Sequence, residues 1–316
     1  MYLDFFNFNK NPFHITPDPE FLFLSAGHKE AFAAIAYGIQ EKKGFIAVTG
    51  EVGVGKTTIL RSYLQNIDPQ KSKIIYIFNA CVSYQQLLRQ IFFELRIPVK
   101  DEDAFELVNR LVQFLVNEYQ HGRNVVLIID EAQNVPVETL EHLRMLSNLE
   151  TSQDKLLQIV LVGQPEFELK LDMPELRQLK QRIAIRAHIS PFSIEEGMGY
   201  IMHRLMKASN YFSPVFTDEA IRTILEQSDG IPRVINIISD NALITAYGYQ
   251  RNPVDAGIVR EVVRDIKRGR FRPKPLSRWQ RFLSFIPFLR RGEPIKALQL
   301  PEQSGKAVFD QAMQSN

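Results

Sequence analysis

Eight consecutive residues, Gly50-Glu51-Val52-Gly53-Val54-Gly55-Lys56-Thr57, restrict this chain to a small set of folds. They follow an apolar, strand-like run at 44–49 and lead into a helix-like run at 58–64. A G-x-x-x-x-G-K-T stretch in that strand–loop–helix setting is a phosphate-binding loop, or Walker A motif. Its glycines let backbone N–H groups turn inward on phosphate oxygens, and the helix behind it adds the positive end of its dipole. Lys56 supplies a point charge for the β- and γ-phosphates, and Thr57 supplies a hydroxyl for Mg²⁺. With Thr58 at the helix start, these residues are the candidate contacts to ATP.

The second half of such a site is an acidic strand end. Val125-Val126-Leu127-Ile128-Ile129 is a continuous apolar run of the kind buried on both faces of a parallel sheet, and Asp130 and Glu131 follow it directly. Ligands of open α/β sheets bind at the carboxyl ends of strands. Asp130 suits the task of holding Mg²⁺, and Glu131 that of polarising the attacking water as a general base or an orienting group.

Further strands are predicted at 73–78, 157–162 and 186–189, alternating with helical patterns at 84–95, 103–119, 137–149 and 174–183. That alternation predicts a parallel five-stranded sheet covered on both faces. After Pro191 the strand signal stops, and 193–209, 217–228, 232–247 and 253–267 read as four consecutive helices. Two open on hydroxyl caps ahead of acids, Ser193-Ile194-Glu195-Glu196 and Thr217-Asp218-Glu219. The expected organisation is an α/β domain over 1–190, with an N-terminal segment at 1–43, then a helical lid over 191–267 and a tail over 268–316.

Charge is segregated along the chain. Residues 268–316 hold ten Lys/Arg and three Asp/Glu, so the net charge of +2 covers an acidic body and a basic tail. Such asymmetry points to an interaction rather than to a fold. Cys81 is the single cysteine, so no internal disulfide can form. The N-terminus lacks a basic stretch ahead of a long apolar one, and no window reaches the ~18 apolar residues that span a bilayer. A cytoplasmic location is expected, with the tail as a candidate for peripheral contact at the inner face of the cytoplasmic membrane.

The order of these motifs resembles the AAA+ ATPases and, within them, the general secretion pathway ATPase family of the ExeA/GspA type. The resemblance rests on Asn11-Pro12-Phe13, Thr16-Pro17-Asp18-Pro19 and Phe21-Leu22-Phe23-Leu24-Ser25. It continues through the loop, the acidic motif at 127–133, Leu161-Val162-Gly163-Gln164-Pro165-Glu166, the stretch 179–183 and Gly230-Ile231-Pro232-Arg233. It covers residues 1–267, and ATPases encoded beside exopolysaccharide and exosortase loci are among the relatives. The resemblance implies a P-loop NTPase (AAA+) fold with a C-terminal all-helical lid, and ATP hydrolysis by a ring or partial ring of identical subunits. It also implies work on a cell-envelope export system. It gives Gln164 the sensor 1 position, which orients water at the γ-phosphate, and Arg233 the sensor 2 position in the lid. Arg182 takes the place of the arginine finger that acts on a neighbouring subunit's nucleotide, with Arg177 and Arg186 as alternatives. His28, in the segment before the loop, is a candidate for the base end of the nucleotide. The N-terminal aromatics Tyr2, Phe5, Phe6, Phe8, Phe13, Phe21 and Phe23 are expected to pack against the ATPase body.

Between 268 and 291 there are eight basic residues and no acid, around Trp279, Phe282, Leu283 and Ile286 at i, i+3, i+4 and i+7. That pattern suits a solvated tail, an anionic membrane surface or nucleic acid. Full-length ExeA-type proteins continue into a transmembrane segment and a periplasmic peptidoglycan-binding domain. This tail departs from that pattern, because 282–289 is too short to span. Two other functions compete with export: a DNA-binding ATPase of the transposition or replication type, and a nucleotide-gated switch with slow hydrolysis. The acidic body counts against DNA, which needs a basic face.

Overall fold

A computed structural model describes residues 2–269, apart from 17, 79, 153 and 210–213. Five parallel strands form one sheet: β1 (Phe45–Gly50), β2 (Ser72–Phe78), β3 (Asn124–Asp130), β4 (Leu157–Gly163) and β5 (Ile183–Ile189). Their spatial order is β2-β3-β4-β1-β5. β4 therefore lies between the strand that feeds the phosphate loop and the strand that ends in Asp130. The central strands are apolar along both faces because both faces are covered. Phe45, Ala47, Val125, Leu127, Ile129, Ile159 and Leu161 enter one core, and Ile46, Val48, Val126, Ile128, Val160 and Val162 enter the other.

Eight helices belong to this half of the chain: α1 (Tyr2–Phe5), α2 (Ala26–Gln40), α3 (Lys56–Gln65), α4 (Tyr84–Glu94), α5 (Ala104–Gln120), α6 (Val137–Leu146), α7 (Pro165–Leu171) and α8 (Arg177–Arg182). Helices α2 and α3 cover one face of the sheet; α4, α5, α6 and α7 cover the other. The fold class is the α/β P-loop arrangement the sequence predicts. Local differences have physical causes. The helix expected at 174–183 breaks into a short 3-10 turn, Pro174–Leu176, and α8. Ile183 then leaves the helix to pair with Phe45. β5 is consequently longer than the run 186–189 suggested, because its exposed alternate residues dilute the strand signal.

Register fixes the working edge. Thr49 pairs with Gly163, Ile129 with Leu161 and Phe78 with Asp130, so the loops after β1, β3 and β4 emerge side by side.

Four helices follow: α9 (Ile194–Ala208), α10 (Asp218–Ser228), α11 (Pro232–Gly248) and α12 (Ala256–Lys267). Ser193 accepts the Glu196 N–H and Thr217 accepts the Ala220 N–H, as their sequences anticipate. The N-terminal aromatics Phe6, Phe8, Phe13 and Phe21 are buried. Within the ATPase body the segment packs on the lid helices. Tyr2 donates its hydroxyl to Asp240 Oδ1 (2.7 Å), and Asn11 reaches the same oxygen (3.1 Å). Phe5 meets Tyr247, Phe13 meets Phe216, and Phe23 meets Phe192 and Tyr200. Buried Arg204 of α9 donates to the carbonyls of Pro12 and His14 and to the Tyr200 hydroxyl, and lies over the Phe21 ring.

Among the described residues no helix is long and apolar enough to cross a membrane. The basic tail with Trp279, Phe282, Leu283 and Ile286 lies outside the described residues, apart from Arg268 and Gly269.

Candidate nucleotide site

The loop runs from the end of β1 at Gly50 to the first turn of α3 at Lys56. Gly53 and Gly55 take φ of +89° and +106°, a region that side chains disfavour. Space is equally tight: a Cβ on Gly53 would stand 2.7 Å from Arg233 Cβ, and one on Gly55 would stand 3.0 Å from His28 Nε2. Lys56 Nζ donates to the loop's own carbonyls, Gly50 O at 2.6 Å and Glu51 O at 2.9 Å. Burial lowers its pKa, against the opposing pull of Glu131 and Asp130. Glu51 and Val52 form the exposed rim of the loop, and Thr58 is half-buried.

His28 sits beneath this loop rather than in it. The Ser25 backbone N–H donates to His28 Nδ1 (3.3 Å), which places the ring proton on Nε2, and Nε2 donates to Val54 O (2.8 Å). Burial holds the ring below the usual histidine range, in keeping with a neutral imidazole. Its face meets Phe192, at a centroid distance of 5.4 Å.

Asp130 is 1% exposed and fully bonded. Oδ2 accepts the hydroxyls of Thr57 (3.1 Å) and Tyr76 (2.7 Å), and Oδ1 accepts the Glu131 N–H (2.9 Å). Burial pushes its pKa up, and these donors pull it back down. Thr57 and Asp130 are hard oxygen donors set side by side, a combination that fits Mg²⁺ with its retained waters.

Glu131 has a φ of +57°, unusual for a side-chain-bearing residue and forced by the turn that leaves β3. Its Oε2 accepts two amides, Gln133 Nε2 at 2.6 Å and Gln164 Nε2 at 2.8 Å. Gln133 Oε1 in turn accepts the Gln164 backbone N–H at 3.1 Å. Gln164 thus reaches the carboxylate from the end of β4, and Gln133 ties the two strand ends together. Gln133 carries no signal of its own in the sequence beyond an amide two residues after Glu131. Tyr76 carries none either, because a tyrosine in an apolar run reads as core.

The arginines divide. Arg233 opens the α11 helix with its backbone N–H bonded to Gly53 O (3.2 Å), so the lid touches the loop directly. Arg182 is exposed and donates to Asn148 Oδ1 and Ser147 Oγ at the end of α6. Arg186 bonds the Lys180 carbonyl (2.9 Å) and faces Glu168 (3.5 Å), and Arg177 is exposed.

A family model described as AAA domain matches residues 39–171. General secretion pathway protein A of Aeromonas hydrophila is 42% identical over 248 residues, which is 78% of this chain and 45% of that protein. An uncharacterized HTH-type transcriptional regulator of Methanocaldococcus jannaschii is 26% identical over 167 residues, 51% of this chain and 40% of the other. The chain therefore spans less than half the length of either relative. Among solved structures, the ORC2 protein of Aeropyrum pernix in its ADPNP–ADP complexes superposes with a TM-score of 0.61 at 19% identity, over 82% of this chain and 72% of that one. The RuvB Holliday junction branch migration motor of Thermotoga maritima gives 0.50 at 18% identity, over 77% and 70%. At these identities the two structures bear on the fold alone.

Proposed function

The chain belongs to the AAA+ ATPases, of the general secretion pathway protein A type, and on that premise we propose that it binds ATP with Mg²⁺ and hydrolyses it. The observation that carries the reading is the alignment of Lys56, Thr57, Asp130, Glu131 and Gln164 on three adjacent strand ends.

The roles follow from the bonds. The N–H groups of the Gly53–Gly55 turn receive phosphate oxygens, and Lys56 exchanges its two carbonyls for the β- and γ-phosphates. Thr57 and Asp130 would hold Mg²⁺, which would supply positive charge against that developing on the phosphates. The two amides occupy Glu131 Oε2, leaving Oε1 to orient and deprotonate the attacking water. Gln164 keeps that carboxylate aimed. Arg233, on a lid helix bonded to the loop, reports the γ-phosphate to the lid. Arg182, exposed at the end of α8, acts on the nucleotide of a neighbouring subunit.

The identity with the Aeromonas hydrophila protein supports assigning the work to a cell-envelope secretion or export system. The basic tail serves contact with the anionic inner face of the cytoplasmic membrane. Lys56→Ala tests both levels, because its charge is the one group that no neighbour can replace. Loss of that charge should weaken ATP binding roughly 100-fold, measured with a fluorescent analogue. A strain carrying only this variant should fail to export the cargo of the system encoded nearby while keeping normal protein levels. Undiminished ATP binding would overturn the site, and normal export without binding would overturn the assignment to export.

A further inference from the structure

Tyr76 lies on β2, outside every motif the sequence displays, yet its hydroxyl ends on Asp130. It donates to Oδ2 at 2.7 Å, the same oxygen that accepts the Thr57 hydroxyl at 3.1 Å. Oδ1 is fixed separately by the Glu131 N–H. Both carboxylate oxygens are therefore held, and the plane of the group is set before any ligand arrives. The ring that carries the phenol packs against the core formed with α2 and α3, so the donor itself is anchored.

The three bonds on Asp130 are not equivalent. When Thr57 offers an oxygen lone pair to a cation, its hydroxyl proton stays available to Oδ2. Glu131 N–H binds the other oxygen. The Tyr76 phenol is the second side-chain donor on Oδ2, and it comes from β2 rather than from the helix that follows the loop. We propose that Tyr76 is a positioning residue for the divalent-cation site: from β2 it holds Asp130 in register with Thr57. The proposal rests on the reading that Thr57 and Asp130 hold the cation. Partners one bond removed from a metal ligand change metal affinity by about 10- to 100-fold when lost.

The test measures binding without turnover. A fluorescent ATP analogue is titrated into the full chain in a Glu131→Gln background, once in EDTA and once in saturating Mg²⁺. The ratio of the two dissociation constants is the gain that the cation confers. Tyr76→Phe keeps the ring and removes the donor. Its EDTA constant should match the parent's, and its Mg²⁺ gain should shrink about tenfold. Tyr119→Phe is the control: it loses a phenol–carboxylate bond to Asp154 (3.2 Å) away from the loop and should leave the gain intact. A merely structural role for Tyr76 would lower the unfolding midpoint without moving the ratio. Tyr76→Leu, lacking ring and hydroxyl together, reads the same ratio if the Phe variant does not fold. A parent that gains affinity from Mg²⁺ beside a Tyr76→Phe protein that gains equally overturns this inference alone. A parent that gains nothing overturns the cation reading itself, and this inference with it.

Discussion

At the carboxyl edge of the sheet, Glu131 is held by Gln133 and Gln164, side chain to side chain, across two neighbouring strand ends. In the lid, Arg204 spans 192 positions of sequence to reach the Pro12 carbonyl, and Asp240 spans 238 to receive Tyr2. The first region sets the direction of reacting groups. The second closes a junction between the N-terminal segment and helices α9 and α11. Both are dense in hydrogen bonds, but only the first has its bonds converging on groups that can do chemistry. Dense bonding is therefore a poor guide to function, and the identity of the group at the centre is a better one.

The largest effect expected lies at the edge. Glu131→Gln keeps the shape of the side chain and removes its basicity, so turnover should fall about 10²- to 10⁴-fold while ATP is still bound. Phosphate release and equilibrium binding on the same preparation measure this. Mixing that variant with Arg182→Ala should restore part of the activity, because one class of interface then has both groups intact. Turnover by Glu131→Gln at the parental rate would remove Glu131 from its role and break the contrast.

Arg204→Ala should act in the other currency. It strands the Pro12 carbonyl in a buried site and removes a donor from the His14 carbonyl and from the Tyr200 hydroxyl, which keeps its bond to Asn236, a change that costs about 2–4 kcal/mol of stability. Urea unfolding should show that loss, whereas turnover per folded molecule should change far less than in Glu131→Gln. A comparable fall in turnover would mean that the two regions are one functional unit.

The smallest effect concerns His28, which touches both regions through Val54 and Phe192. Its pKa is lowered in the folded chain, chiefly by burial. The unfolded chain therefore takes up the proton first as pH falls, so folding stability should decline below about pH 6.5. Above that pH both states carry a neutral ring and the contribution is constant. His28→Gln should flatten the acid limb of a stability–pH curve. His203, also held down mainly by burial, keeps part of the slope. An unchanged limb in the variant would show that His28 is not buried as a neutral ring.

Most of the sheet was legible because the central strands are buried on both faces and read as unbroken apolar runs, as in Val125–Ile129. The phosphate loop and the acidic pair were legible because their chemistry demands particular residue types at fixed spacing. Helix α2 was not read: its sequence is rich in Ala and Gly, and its capping box closes through His28 instead of a Glu or Gln. Helix α7 was too short to show a period. The attachment of the N-terminal aromatics to the lid was invisible for a different reason. Burial can be inferred from a run of phenylalanines, but the partner cannot, since an apolar ring carries no address. Tyr76 and Gln133 share that difficulty, because each acquires its role from a residue on another strand or turn.

The long reach of Arg204 has a consequence for the nascent chain. Phe6, Phe8 and Phe13 are synthesised well ahead of the α9 residue whose guanidinium grips Pro12, which follows that proline by 192 positions. At ~5–20 residues per second the wait is roughly 10–40 s. During that interval the phenylalanines have only one another and lack their partners on the lid, while the sheet behind them can already be folding. An apolar cluster left uncovered for that long is surface that holding chaperones can bind until α9 has been made.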